Sequence, residues 1–171
     1  MSRGGQPDKH PQLLVAKTNE QTAADADTDT IIPLPVPRFA TQTRSGVWCF
    51  EILKLWVHIK NVVTLAAVNS YSVTIATAPG IAEGWDPRSI IFHSYNIVPG
   101  AAGPYVTPPD PHEYSFEDSG GRGLLIGTDN LYVHFHTLAT ASALNYATVR
   151  FLYRLRRVSA TEYIGIVQSQ Q

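Results

Sequence analysis

The chain is poor in charge, in cysteine and in long apolar runs, and each shortage removes a class of reading. Only 16% of its 171 residues are Asp, Glu, Lys or Arg, well below the usual quarter. The formal net charge is −1, so no global basic field points to nucleic acid. Cys49 is the one cysteine, which excludes an internal disulfide; it lies in a strand-like run and is expected to be a buried thiol. No apolar stretch approaches the roughly 18 residues a membrane helix needs, and the polar N-terminus lacks the apolar core of a signal peptide. The patterns GxSxG, GxGxxG, HExxH and CxxC and the Walker loop are all absent. No enzyme class is indicated, and neither a cofactor nor a metal is expected.

What the sequence does contain is strand after strand. The run VWCFEILKLWVHIKNVV (47–63) is apolar on both parities; a helix is the rival reading, but its density of Val, Ile, Trp and Phe favours a strand, one buried on both faces. SYSVTIATAP, SIIFHSYNIVPG, EYSFED, LLIG, NLYVHFHTLA, NYATVRFLYRLRRV and EYIGIVQ follow, punctuated by Pro79-Gly80, Pro99-Gly100 and the turn SGGRG. Eight or nine strands over roughly 125 residues, with no amphipathic helix, predict an all-β fold. The Cys–Trp–Cys framework of an immunoglobulin domain is missing. The expectation is an antiparallel eight-stranded jelly-roll β-sandwich or barrel over 46–171, ending on a strand.

Residues 1–45 read differently. TAADADTDT is polar and poor in aromatics, and IIPLPVPRF places Pro33, Pro35 and Pro37 at alternate positions. Such prolines disfavour a central strand, so 1–45 is expected to be an extended, partly flexible arm. Pro33, Pro35 and Pro37 are its candidate contacts along a neighbouring subunit.

The side chains that carry chemistry give weak signals. His134 and His136 share one face of a strand and resemble the first two ligands of a metal cupin, but the glutamate and the third imidazole are missing. His58, His93 and His112 are scattered and read as structural. Asp110, Glu113, Glu117 and Asp118 read as a solvated acidic loop rather than a glycosidase pair. Trp85, Tyr95 and Tyr105 lie in aromatic loops that a ligand-binding module would use. Arg150, Arg154 and Arg156 share one strand parity, opposite Val149, Phe151, Tyr153 and Leu155. They predict a cationic sheet face, offered to a neighbour's carboxylates or to phosphates. The region 121–171 holds five arginines against Asp129 and Glu162, a net +3.

A polar arm, a proline-rich segment and a strand-only body with long Gly/Pro loops together resemble the single jelly-roll coat proteins of small icosahedral viruses and tailless phages. The stretch NYATVRFLYRLRRVSATEYIGIVQSQQ is similar to the closing strands of such proteins. The resemblance implies a structural capsid subunit that assembles with copies of itself. It also implies a virion location after synthesis in the host cytoplasm or nucleus, without a signal peptide. Further partners would be a second coat protein, or nucleic acid or an internal membrane at the arginine-rich strand. This arm departs from the family's basic arms, since residues 1–40 carry four basic against five acidic side chains. The alternative is a β-sandwich module that binds carbohydrate or another ligand.

Overall fold

A computed structural model describes residues 10–20, 26–36, 46–60, 69–82, 84–97, 111–137 and 145–170. Among these residues nine strands precede one helix: β1 (Gln12–Lys17), β2 (Ala26–Pro33), β3 (Val47–Lys60), β4 (Asn69–Ala76), β5 (Ser89–Ile97), β6 (His112–Ser115), β7 (Leu124–Ile126), β8 (Asn130–Thr137), β9 (Tyr146–Val158) and α1 (Ala160–Ser169). One sheet runs β1-β9-β3-β6, with β7 also on β3, and the other runs β2-β8-β4-β5. Every pairing is antiparallel. Consecutive strands change sheet at β1/β2, β2/β3, β3/β4, β5/β6, β7/β8 and β8/β9. This is the jelly roll, with one edge position shared between the short strands β6 and β7.

The inner faces meet in one core. Phe50, Ile52, Leu55, Val57, Val149, Phe151 and Tyr153 come from the five-stranded sheet, and Tyr71, Val73, Ile75, Leu131, Val133 and Phe135 from the other. Phe50 stacks on Tyr153 with ring centroids 4.3 Å apart. The double-parity apolar pattern of β3 has a local cause. A bulge between Ile52 and Lys54 inserts Leu53, so both Ile52 and Leu55 point into the core although their spacing is odd.

Three expectations need correction. First, part of 1–45 belongs to the sandwich: β1 pairs with β9 along its full length, and β2 pairs with β8. The ordered body thus begins by residue 12, not 46. Second, Pro33 sits in β2, opposite Asn130. It is tolerated there because it is the last residue of an edge strand, where a missing N–H breaks no ladder. Pro35 lies just beyond it, exposed, and Pro37 falls outside the described residues. Third, the chain's final segment is a helix and not a closing strand. Ser159 caps it, its hydroxyl accepting from the Glu162 N–H at 3.2 Å, the Ser-x-x-Glu arrangement of a helix start.

Candidate assembly face

The outer surface of the five-stranded sheet has two differently finished halves. At one end α1 packs against β3 and the edge strand β7. Gly127 accommodates it, because a Cβ there would stand 2.9 Å from Val167 and 3.1 Å from Ile166. Gln170 clamps the helix end, taking the Gly127 N–H at 2.9 Å and donating to the Leu125 carbonyl at 2.7 Å. The Tyr163 hydroxyl donates to the Gly127 carbonyl at 3.0 Å.

At this end the strand register sets Glu51 opposite Arg154 and Cys49 opposite Arg156, and Glu162 of α1 comes within 3.9 Å of the Arg156 guanidinium. Glu51 is fully buried. Its carboxylate accepts from Arg154 Nε at 2.5 Å, from the Gly123 N–H at 2.9 Å and from Arg156 Nη1 at 3.5 Å. Gly123 is required for this approach, since a Cβ would fall 2.1 Å from the Ile52 carbonyl oxygen. Arg154 is held further by the Gly121 carbonyl at 2.7 Å. Burial pushes the Glu51 carboxyl up, but Arg154, the Gly123 amide and Arg156 together bring it below its ordinary range. Cys49 is buried beside them, and burial pushes its thiol up to about 11, which makes it a poor nucleophile.

Among the described residues nothing covers the other half. Here β1 sets Leu13 opposite Leu152 and Val15 opposite Arg150, while β3 sets Trp56 opposite Arg150. Leu13 is 59% and Val15 52% exposed. Leu13, Trp56, Pro111 and Arg150 line a groove of about 410 Å³. Its wall is fixed by Glu113, which accepts from Trp56 Nε1 and from Lys54 Nζ, each at 2.8 Å. Arg150 is exposed, and among the described residues no carboxylate pairs with it. The three arginines that strand parity groups together are therefore split. Arg154 and Arg156 are internal counter-ions of Glu51, and only Arg150 is presented outward.

The second sheet has its own polar face. His134 Nδ1 meets Asp29 Oδ1 at 3.0 Å, and His136 Nδ1 meets Asp27 Oδ1 at 2.7 Å. These pairs follow from register, Asp29 opposite His134 and Asp27 opposite His136. Sequence reading misses them because the partners lie over a hundred residues apart. Among the described residues no three His, Cys, Asp or Glu side chains are arranged to hold a metal. Elsewhere, His93 Nδ1 meets the Tyr114 hydroxyl at 3.0 Å and its ring lies 4.8 Å from that of His112. That cluster joins edge strands β5 and β6 across the two sheets. Asp118 caps its own turn through the Gly120 and Arg122 N–H groups, each at 2.8 Å. Trp85 is 82% exposed on the β4–β5 loop, whereas Asp110, Tyr105 and the Tyr95 side chain lie outside the described residues.

No protein-family model matches the chain, and no curated protein matches it. Solved structures do. The VP1 pentamer of Human Polyomavirus 7 superposes with a TM-score of 0.57 at 12% identity, over 93% of this chain and 100% of that one. VP1 of Washington University Polyomavirus, an unassembled pentamer, gives 0.57 at 11% identity over 92% and 100%. Merkel cell polyomavirus VP1 in complex with 3'-sialyllactosamine gives 0.53 at 10% identity over 91% and 98%. The likeness spans nearly the whole of each chain, and the fold described above is the jelly-roll fold of the polyomavirus VP1 capsid proteins.

Proposed function

We propose that this chain is a structural viral coat protein that assembles with copies of itself, and that the bare half of the five-stranded sheet is one of its assembly faces. The observation that carries the reading is the groove at Leu13, Trp56, Pro111 and Arg150, beside two half-exposed aliphatic side chains on an otherwise well-packed sheet. An apolar patch with one unpaired guanidinium has the composition of an interface core. The VP1 proteins with this fold form pentamers, which supports self-association here. Arg150 takes over the polar-contact role first assigned to three arginines, toward a carboxylate of a neighbour or a phosphate inside a shell. Its location is then the virion, and its role is structural rather than catalytic. Electron microscopy of the expressed protein tests this directly, with closed particles or rings expected.

A second reading, a carbohydrate-binding β-sandwich, is favoured by one observation: the nearly bare indole of Trp85. Retention of the monomer on a glycan surface, abolished in Trp85→Ala, would support it.

A further inference from the structure

We propose that the groove on the bare half receives Trp85 of a second copy, so that copies join head to tail. This rests on the coat-protein reading and adds to it the partner surface. Trp85 is the most exposed large hydrophobic side chain among the described residues, at 82%. Its loop lies across the outer face of the four-stranded sheet. Thr74, on that face, donates its hydroxyl to the Ala82 carbonyl at 3.0 Å, and Gly84 packs so closely on Phe92 that a Cβ would fall 2.5 Å from it. The pedestal is rigid. Asp86 takes the Arg88 guanidinium in a fork at 2.9 and 2.7 Å, and its carbonyl accepts from the Ser89 N–H at 2.8 Å. A held, solvent-facing indole is a preorganised anchor, and tryptophan is among the residues most enriched at interface hot spots.

The groove suits that anchor. Leu13, Trp56 and Pro111 give it apolar walls, and Arg150 offers an unpaired cation to an aromatic face. Charge favours the same pairing. Around the groove stand Lys17, Lys54, Lys60 and Arg150 against Glu20, Glu113 and Glu117, a small positive balance. The outer face that carries Trp85 presents Asp27, Asp29 and Asp86 against Arg88. Groove against groove would set like charges together, whereas groove against knob sets opposite ones together. Knob and groove sit on the two opposite outer faces of one sandwich. The contact is therefore heterologous, which closes into a ring when the rotation allows and never stops at a symmetric pair.

Complementation tests it by sedimentation velocity on three full-length chains: wild type, Trp85→Ala and Leu13→Asp. Both substituted sites are exposed, and each variant should melt within a few degrees of wild type. Wild type is expected to assemble. Each variant alone should associate roughly thirtyfold more weakly or worse, as loss of a central aromatic anchor does. An equimolar mixture should form a 1:1 dimer and stop, because one intact knob meets one intact groove. Assembly of Trp85→Ala equal to wild type, or a mixture that stays monomeric, overturns the knob while leaving the coat reading in place. Wild type that is monomeric at high concentration overturns both.

Discussion

The two halves of the outer face of the five-stranded sheet are built by the same two long strands, yet they do opposite things. Toward one end, β3 and β9 pair Glu51 with Arg154 against the 121–123 turn, in a buried and closed network. Toward the other, the same strands pair Trp56 with Arg150 in the open. The difference is the backbone laid on the first half, the 121–123 turn at Glu51 and Arg154 with α1 reaching Arg156 beside it. Strand parity decides which side chains share a face, but the cover laid on that face decides whether an arginine is a structural counter-ion or a contact offered to another molecule.

Substitution should separate the halves sharply. Replacing Glu51 with Ala strips the Arg154 guanidinium of its buried carboxylate and leaves Arg156 with Glu162 alone, and is expected to cost about 3–5 kcal/mol in urea unfolding. Arg154→Gln should destabilise for the same reason, leaving the fully buried carboxylate with a weakened partner set. Arg150→Gln should stay within about 0.5 kcal/mol of wild type, as exposed substitutions do. Equal destabilisation by Arg150→Gln and Arg154→Gln would dissolve the distinction between the halves.

Removing the cover gives the next largest effect. Ending the chain at Val158 takes away α1 and opens Cys49. With burial lost, its thiol should fall from about 11 toward the ordinary range, and its labelling by a thiol reagent at pH 8 should accelerate by about tenfold or more. Unchanged labelling would mean that the helix is not what shields it.

The smallest effect belongs to the seam between the sheets. Burial first, and then the neighbouring His112, hold the His93 imidazole below its usual range, with Tyr114 as its hydrogen-bond partner. A histidine depressed in the folded state contributes stability that is intact above the ordinary value of about 6.5. That contribution is lost as pH falls through the lower folded value. Melting scans should therefore show an acid-side loss that begins below about pH 6.5 and shrinks in His93→Gln. A variant with the wild-type pH profile would remove His93 from the account.

Much of this fold is legible in the residues. Apolar parity in 47–60 and 146–158 marks the two long central strands, and the Pro-Gly and Gly-rich turns separate their neighbours. The second N-terminal strand is hidden because its polar alternation, Asp27 and Asp29 outward, resembles a flexible tail until His134 and His136 are brought opposite, and the short apolar run of the first acquires meaning only beside β9. The helix is hidden by the β-branched Ile164, Ile166 and Val167; packing of Ile166 and Val167 on Gly127 overrides their strand preference. The Ser159-x-x-Glu162 cap was the available signal for it. Splitting Arg150 from Arg154 needed the third dimension, since parity alone treats them alike.

The claim that the bare half is an assembly face is tested most directly by sedimentation velocity of the wild type beside the double variant Leu13→Asp/Val15→Asp. Both positions are exposed and contribute nothing to the core, so the double variant should fold normally. The account predicts a multi-subunit wild type and a monomeric variant with a similar melting temperature. A wild type that remains monomeric at high concentration, or a variant that assembles as readily as wild type, would contradict it.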